Sequence, residues 1–525
     1  MAVRRPGLAG AAAIMMAAFV ASRATGLLRD VAVSYQFGTG HEMAAYLAAI
    51  RIPDFIFQVT AGGAVASAFI PVFTGYLARD ELSDGWRMVS TLYNLSIVVL
   101  SPLIVLAIVF APEIMRLQVP EFAPEYQKLA GQLARILLIS PLFFTLGCFT
   151  TGVLNSHQRF FLASLAPTSY NVGIIVGALV FAPYFGHRGG HFEPDLAIRG
   201  LALGATLGSL LFLLVQLPGL GQVGMRYRPV LDLRHVGVRE VGRLMVPRAI
   251  GLAVVQVNFV VATYLASGIP GGIPALNWAW LLTMLPLGVF GMAISSAVFP
   301  SLATLTARSE LEEMRRTVSL ALRFILYLTI PATVGLVILG ELIVSVLFER
   351  GAFSAASTAM VTHALRFYAP GLIAMATVEI VTRVFYAFHD TRTPVAIAVV
   401  AMAANVVLAL SLVGTLSYGG LALATSLSSV LEATALVALV QRQLPGLLDR
   451  AVLVSLARSG LAALLMGAAV LGFSAALAAP LTSGAFVVRA LALVGAVGVG
   501  GAVYLAASLL LHSEEARQLR RALAR

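Results

Sequence analysis

Runs of about 20 apolar residues recur along this chain from its beginning to its end, and one transmembrane helix needs a run of that length. Of the 525 residues, 59% are hydrophobic and only 11% are charged, whereas soluble domains carry about 25% charged residues. Backbone inside hydrocarbon must satisfy its own hydrogen bonds, which a helix does. The sequence therefore predicts an all-α integral membrane protein.

Short stretches rich in Gly, Asn, Ser and Pro divide the apolar runs and mark turns between helices. We place fourteen transmembrane helices near residues 8–36, 42–77, 88–112, 127–155, 160–184, 198–218, 241–267, 274–304, 316–347, 355–388, 393–414, 418–440, 453–479 and 485–511. We expect an N-terminal lobe over 1–219, a cytoplasmic amphipathic linker over 220–240, a C-terminal lobe over 241–445, and a C-terminal helix pair with a basic cytoplasmic tail over 446–525. A solvated loop that runs into the next helix explains the linker's pattern equally.

The net charge of +11 comes from arginines that concentrate in alternate loops, as in the stretch with Arg226, Arg228 and Arg234. Loops rich in basic residues stay on the cytoplasmic side of a membrane. We therefore expect both termini in the cytoplasm and an even number of helices. Topology and attraction to anionic lipid account for the basic excess, so nucleic acid is not expected as a partner.

Two segments return at nearly equal offsets. "PVFTGYLARDE" at 71–81 resembles "PSLATLTARSE" at 300–310, an offset of 229, and Asn171 in "SYNVGIIVGALV" pairs with Asn405 in "AANVVLALSLVG", an offset of 234. Each segment lies six predicted helices from its counterpart, so both halves have the same orientation. Parallel repeats of this kind are typical of transporters that bind substrate between their halves, although chance similarity in apolar sequence is the alternative.

The first helix carries Arg23, Arg29 and Asp30 in "ASRATGLLRDVAV", where hydrocarbon is expected. A charge at mid-membrane costs at least about 2.5 kcal/mol, so such residues face a water-filled interior or a partner. Arg23 and Arg29 are about 120° apart around the helix, so both can face one cavity. One carboxylate cannot neutralise two guanidiniums, and arginine forks suit phosphate. We predict contact with an anionic substrate; a purely internal ion network is the alternative.

Further charges lie inside predicted helices. Arg51 and Asp54 flank Pro53 in the second helix, and Glu379 and Arg383 are spaced i to i+4 in the tenth. We regard Asp54, Glu379 and Arg383 as candidates for a cavity or for ion coupling, although Glu379 and Arg383 can simply neutralise each other.

Features of an enzyme are missing from the sequence. It has no phosphate-binding G-x-x-x-x-G-K-[ST] motif, Cys148 is its single cysteine, and we predict neither a cofactor nor a metal site. Transport would then draw on a coupling cation or on the membrane potential, where one charge is worth about 2.3 kcal/mol per 100 mV.

The chain resembles a known family over roughly residues 10–440. The resemblance rests on motifs that follow in order: "SRATGLLRD", "FGTG", "IPDF", "AGGAVASAFIPVF", "GVLNSHQRFFLASLAPTSYN", "LPLGVFGMAISSAVFPSL", "LFERGAFS" and "HDTRTPV". In these it resembles the MurJ (MviN) proteins, the lipid II flippases of the multidrug/oligosaccharidyl-lipid/polysaccharide exporter superfamily.

The resemblance implies fourteen helices in two pseudo-symmetric lobes around a cationic cavity, with the C-terminal helix pair forming a groove for a polyprenyl tail. It implies alternating-access movement of lipid II, the undecaprenyl-pyrophosphate-linked peptidoglycan precursor, between leaflets of the bacterial inner membrane. Membrane lipids and proteins of cell-wall synthesis are the implied partners. Arg23, Arg29 and Asp30 match the motif of the family's first helix.

Several positions depart from the family pattern. Charges typical of the family are replaced by Ala44, Gln58, Gly62, Leu281 and Met284. Arg51 lies seven residues before Gln58 and nearly on the same helix face, so we expect it to substitute in binding the substrate. Two alternatives stay open: a flippase for another polyprenyl-linked glycan, and a scaffold of envelope assembly that transports nothing.

Overall fold

The computed structural model describes residues 8–61, 68–188, 191–477 and 486–523. The chain divides into two compact units, Met1–Pro270 with Arg350–Phe353 and Gly271–Glu349 with Ser354–Arg525. This division differs from the lobes expected from the sequence, whose boundaries remain a prediction.

The first unit consists of helices and one short hairpin. Its helices are α1 (Leu8–Phe37), α2 (His41–Thr60), α3 (Ile70–Ala78), α4 (Leu82–Val109), α5 (Ala111–Gln118), α6 (Pro124–Leu137), α7 (Ser140–Ser156), α8 (Phe160–Val176), α9 (Ala182–Gly186), α10 (Pro194–Leu214), α11 (Leu217–Gln222) and α12 (Val236–Ala266). A wider π-type turn over Gly177–Phe181 joins α8 to α9. Strands β1 (His187–Arg188) and β2 (His191–Phe192) pair antiparallel, with His187 opposite Phe192.

The second unit is helical throughout its described residues. Its helices are α13 (Gly272–Pro286), α14 (Met292–Ala307), α15 (Leu311–Phe348), α16 (Ala355–Tyr368), α17 (Gly371–Ala387), α18 (Arg392–Leu416), α19 (Tyr418–Gln443), α20 (Arg450–Ala476), α21 (Phe486–Leu510) and α22 (Glu514–Leu523). Leu287–Gly291 forms a second π-type turn, between α13 and α14.

Helices lie at all fourteen predicted positions, several of them interrupted, but fourteen membrane spans are not confirmed. Within the described ranges, ten helices are long and apolar enough to cross a membrane, or eleven if the pair α16 and α17, bent by 49°, is one span. Helix α2 is not among them. It carries Glu42, Arg51 and Asp54 within 20 residues, and these charges lower its hydropathy.

The repeated segments end in the same turn. After α3 the chain turns at Asp80 with φ of 60°, and after α14 it turns at Ser309 with φ of 57°. Glu81 N–H donates to the Tyr76 carbonyl at 3.0 Å, and Glu310 N–H donates to the Leu305 carbonyl at 3.0 Å. These six-residue bonds with a left-handed residue are those of a Schellman C-cap, so the two halves share local geometry as well as sequence.

Glycines bring α8 and α10 into backbone contact. Gly173 and Gly177, with the four-residue spacing of one helix face, meet Gly200, Gly204 and Gly208 on α10. A Cβ on Gly204 would lie 2.3 Å from the Gly177 Cα. Small residues permit such close approach in membranes, where dispersion contacts rather than water drive helix association.

Helix α22 is held to α15 and α20 by an ion-pair network around the buried carboxylate of Glu515. Arg323 on α15 donates from Nε to Glu515 Oε1 and from Nη2 to Glu514 Oε2, both at 2.6 Å. Ser455 on α20 donates to Glu515 Oε1 at 3.0 Å. Burial raises the pKa of Glu515, but the hydrogen bonds from Ser513 and the charge of Arg323 outweigh it and hold this pKa below its usual value.

Gly204→Ala should destabilise the protein by about 1–3 kcal/mol, because its methyl group would meet backbone that cannot move without separating two helices. Gly242→Ala on α12 is the matched control, since nothing lies within 4 Å of its Cβ position, and alanine favours a helix by about 1 kcal/mol over glycine. Thermal unfolding in one detergent compares the two. Equal stabilities would contradict the described packing.

Glu515→Gln should loosen α22, because breaking a buried ion pair costs about 3–5 kcal/mol. Glu514→Gln should cost at most about 1 kcal/mol, because the Glu514 side chain is 58% exposed and exposed ion pairs are weak. Hydrogen exchange of α22 measures both. Since the folded pKa of Glu515 is lowered, the wild-type attachment should also weaken as the pH falls below the ordinary glutamate range. Equal exchange in both variants would refute this account.

Candidate functional site

The charges of the first helix form a network between α1 and α8. Arg29 donates to Asp30 Oδ1 from Nε at 2.9 Å and from Nη2 at 2.8 Å, and to Asn171 Oδ1 from Nη1 at 3.1 Å. These bonds use three of the five N–H donors of a guanidinium. Two donors remain, and the side chain is 27% exposed.

Asn171 fixes this arrangement. Its amide nitrogen donates to the Ser22 carbonyl at 3.2 Å and to Thr25 Oγ1 at 3.3 Å, while its oxygen accepts from Arg29. One buried amide therefore ties α8 to two turns of α1. Sequence analysis noticed Asn171 only as part of a repeat and missed its role beside Arg29.

Arg23 lies on the same helix as Arg29, about 9 Å along its axis. It is exposed, whereas Asp30 is buried. The Asp30 carboxylate thus accepts two N–H bonds from Arg29 and is not placed between Arg23 and Arg29.

Arg51 and Asp54 line a cavity of ≈ 390 Å³ in the first unit. Gln58 of α2 and Gln256 of α12 also line it, together with the aromatic residues Phe57, Phe144, Tyr170, Phe212 and Phe259. The Arg51 guanidinium carbon lies 5.2 Å from the centre of the Phe259 ring, a distance typical of cation–π contact. The volume falls within the roughly 300–1,000 Å³ of ligand pockets.

Helix α8 connects the cavity with the Arg29 network. Tyr170 lines the cavity, and the next residue, Asn171, holds Arg29. Tyr170 interacts electrostatically with both Asp54 and Arg29. Successive helical residues point about 100° apart, so one turn of α8 serves both groups.

A third charged group lies in the second unit. Arg383 Nη2 is 4.0 Å from Glu379 Oε2, and Arg383 Nε donates to Ser295 Oγ at 2.9 Å. Sequence analysis missed Glu432 on α19, which interacts electrostatically with Glu379. The only sequence signal for Glu432 is that it is an ionisable residue inside a predicted transmembrane helix.

Three other arginines that lie inside predicted transmembrane helices have different surroundings. Arg135 donates to the Ile108 carbonyl at 3.1 Å, Arg323 binds α22, and Arg366 is exposed. The side chain of Arg248 lies outside the described residues.

The positions that depart from the family pattern lie in both units. Ala44 is buried, and Leu281 and Met284 are half-buried. Gln58 lines the cavity, while Gly62 lies outside the described residues. Three of these four described positions thus carry an apolar side chain.

A second cavity of ≈ 450 Å³ lies at the N-terminal end of α4, where Asp84 and Arg87 line it. Its charges are paired: Arg79 with Glu81 at 2.8 Å, Arg87 with Asp232 at 2.9 Å and His235 with Asp84 at 3.2 Å. The Glu81 carboxylate, hydrogen-bonded to Arg79, raises the pKa of that arginine. The first cavity is the better candidate site, because Tyr170 in its wall is adjacent in sequence to Asn171, which binds Arg29.

The chain between α11 and α12 passes beside this second cavity. Asn94 Nδ2 donates to the carbonyls of Arg228 and Val230, at 3.2 and 2.8 Å. The segment is therefore fastened to α4 in a non-helical form. Among the described residues, no three His, Cys, Asp or Glu side chains are grouped as a metal ion would need.

Comparison with known proteins identifies the family. Residues 33–492 match the family model described as "Lipid II flippase MurJ". The chain belongs to the lipid II flippase MurJ family. It is a multi-pass membrane protein, and the family's transporter fold agrees with its two helical units.

Relatives support the assignment along most of the chain. A Haemophilus influenzae protein named "Probable lipid II flippase MurJ" is 32% identical over 428 residues, covering 78% of this chain and 82% of the relative. A Rhizobium meliloti protein of the same name is 32% identical over 424 residues, covering 80% and 78%.

Solved structures agree with the fold. A lipid II flippase MurJ in an inward closed conformation matches with a TM-score of 0.77 and 25% identity, covering 97% of this chain and 99% of the other. An inward-facing multidrug transporter of the MATE family matches with a TM-score of 0.67 at 18% identity, covering 82% and 96%. The second likeness concerns the fold alone.

Asn171→Leu should lower stability by on the order of 2 kcal/mol, because it removes a partner of a partly buried charge. Asn405→Leu is the matched control: both asparagines are buried, at 6% and 4% exposure, but Asn405 donates only to the hydroxyls of Thr425 and Ser428. Hydrogen bonds in membranes average about 0.6 kcal/mol. Thermal unfolding of both variants tests this difference, and a larger loss for Asn405→Leu would contradict it.

Proposed function

We propose that this protein moves lipid II, the undecaprenyl-pyrophosphate-linked peptidoglycan precursor, from the cytoplasmic to the outer leaflet of the bacterial inner membrane. Family membership supports the substrate class. The observation that carries the assignment is the guanidinium of Arg29, which is fixed by Asp30 and Asn171 and retains N–H donors. Such a donor set matches a diphosphate.

Each proposed site residue has a distinct role. Arg29 binds the diphosphate and Arg23, on the same helix, adds a second guanidinium. Asp30 orients Arg29 through two N–H bonds. Arg51 contacts the headgroup from the wall of the cavity, where Asp54 accompanies it.

Transport proceeds by alternating access. The headgroup enters a cavity open to the cytoplasm while the polyprenyl tail stays in lipid, and the two lobes then rock to open the other side. Neutralising the arginines with a diphosphate favours closure around the site, which supplies the differential interaction that a conformational switch requires. Both termini face the cytoplasm in this proposal, following the arginine-rich loops.

The energy comes from the membrane potential or from a coupling cation. The group of Glu379, Arg383 and Glu432 carries one net negative formal charge in the second unit, which suits binding or release of a cation. Proteins of cell-wall synthesis are the expected partners, because they consume the translocated substrate.

A flippase for another polyprenyl-linked glycan is the second candidate function. Gln58 in the cavity wall favours it, because the family pattern has an arginine there. The diphosphate contact through Arg29 is common to both substrates, so the candidates differ only in the glycan.

The wild-type chain should rescue a bacterium depleted of its own lipid II flippase, and the double variant Arg23→Ala, Arg29→Ala should not. Loss of two charge-assisted hydrogen bonds of about 1.5–3 kcal/mol each predicts a transport rate lower by at least on the order of 100-fold. Growth and outer-leaflet lipid II are the measurements.

The control removes two exposed arginines elsewhere, as Arg226→Ala, Arg228→Ala, and should rescue growth. Failure of a correctly inserted wild-type protein would favour the other glycan, or an envelope scaffold if vesicles show no transport at all. Rescue by the Arg23→Ala, Arg29→Ala variant would remove these arginines from the site.

A further inference from the structure

Three polar side chains in the cavity of the first unit make no hydrogen bond and no salt bridge within the described part of the chain. They are Asp54 and Gln58 on α2 and Gln256 on α12. Hydrocarbon cannot satisfy such groups, and burying an amide without a partner costs about 1–3 kcal/mol. Polar groups inside a membrane protein therefore face water or a polar ligand.

The rest of the cavity wall is aromatic and fixed. Phe144 lies at the centre, with ring-to-ring distances of 5.1 Å to Phe57, 4.9 Å to Tyr170 and 5.4 Å to Phe212. Rings that pack in tilted and edge-to-face contacts hold one another in place. They form the apolar part of the same cavity wall that contains Gln58 and Gln256.

The formal charge of the cavity wall is balanced. Arg51 and Asp54 lie one helical turn apart on α2, and they interact electrostatically. Two amides add donors and acceptors without adding charge. A diphosphate gains little from such a wall, whereas a neutral ligand with both donors and acceptors can bind all its polar groups.

We infer that this cavity binds the neutral acetamido-sugar part of the lipid-linked substrate, with Gln58 and Gln256 hydrogen-bonding its amide and hydroxyl groups. The aromatic wall packs against the apolar C–H faces of the sugar rings. The diphosphate stays with Arg29, and Tyr170 and Asn171 join the two subsites through α8. This inference rests on the proposed function and assigns recognition of the glycan to residues outside the arginine site.

The test measures how strongly the full-length protein in nanodiscs binds two lipids, lipid II and undecaprenyl diphosphate without sugar. The wild-type protein should bind lipid II more tightly. The double variant Gln58→Leu, Gln256→Leu should lower the ratio of the two affinities by on the order of tenfold, because two hydrogen bonds of about 0.5–1.5 kcal/mol each are lost. Its affinity for undecaprenyl diphosphate should not change.

Matched variants separate sugar recognition from other effects. Gln222→Leu, at an exposed position on α11, should leave both affinities unchanged, and Arg29→Ala should lower both together. A lipid II analogue whose acetamido groups are replaced by hydroxyls should show a smaller difference in affinity between the wild-type protein and the double variant, because the hydrogen bonds to the acetamido groups are lost while those to the hydroxyls remain.

Equal wild-type affinities for the two lipids, or an unchanged ratio in the double variant, would overturn the inference. So would an equal loss of both affinities in the double variant, because that loss indicates a structural effect. Rescue of the depleted bacterium tests the proposed function separately. A changed ratio without rescue would leave sugar recognition established while the transport proposal fails.

Discussion

Hydrocarbon solvates neither charge nor amide, and every polar group of this chain that lies within the membrane is placed under that constraint. One response is to tie helices together. Arg29 is bound by Asp30 and by Asn171 of another helix, and Arg323 is bound by Glu514 and Glu515 of the last helix. In both cases a charge that is costly alone becomes a link between elements.

The other response is to face a cavity. Asp54, Gln58 and Gln256 border the same space, and their polar atoms stay available to water or a ligand. The two kinds of polar residue lie on different helices, but Tyr170 of the cavity wall and Asn171 of the Arg29 network are adjacent on α8. The hydrogen bonds of Asn171 therefore also hold this part of the cavity wall in position.

Helix α8 shows how closely these tasks are combined. Tyr170 contributes to the cavity wall, Asn171 holds Arg29, and Gly173 contacts the backbone of α10. Three faces of one helix turn thus serve ligand, charge and packing. Because Gly173 lets the two backbones approach, the side chains before it are fixed relative to α10 as well as to α1.

Much of this fold follows from the sequence, because the length of an apolar run and the requirements of backbone hydrogen bonding leave few alternatives. Helices lie at the predicted positions, but the count of fourteen spans is not confirmed, and α2 carries cavity-lining charges that lower its hydropathy. The repeat was visible in the sequence, and its matching turns at Asp80 and Ser309 are a finding of the structure.

The site was predicted less completely. Arg29 and Asp30 were identifiable because charge is rare in such segments. The role of Asn171 was not, because an asparagine in an apolar helix carries no signal of its partner 142 residues away. Gln256 and Glu432 escaped notice for the same reason: their surroundings depend on tertiary packing.

Separating the diphosphate from the glycan has a consequence for transport. A carrier must bind its substrate well enough to take it from water and weakly enough to release it on the other side. A guanidinium with two donors not used by its protein partners favours binding of the anion. A wall without net charge exchanges its hydrogen bonds with water at little net free energy. In the proposed assignment the sugar subsite selects the headgroup without making its release slow, so that selectivity is assigned to the cavity and the conformational response to Arg29.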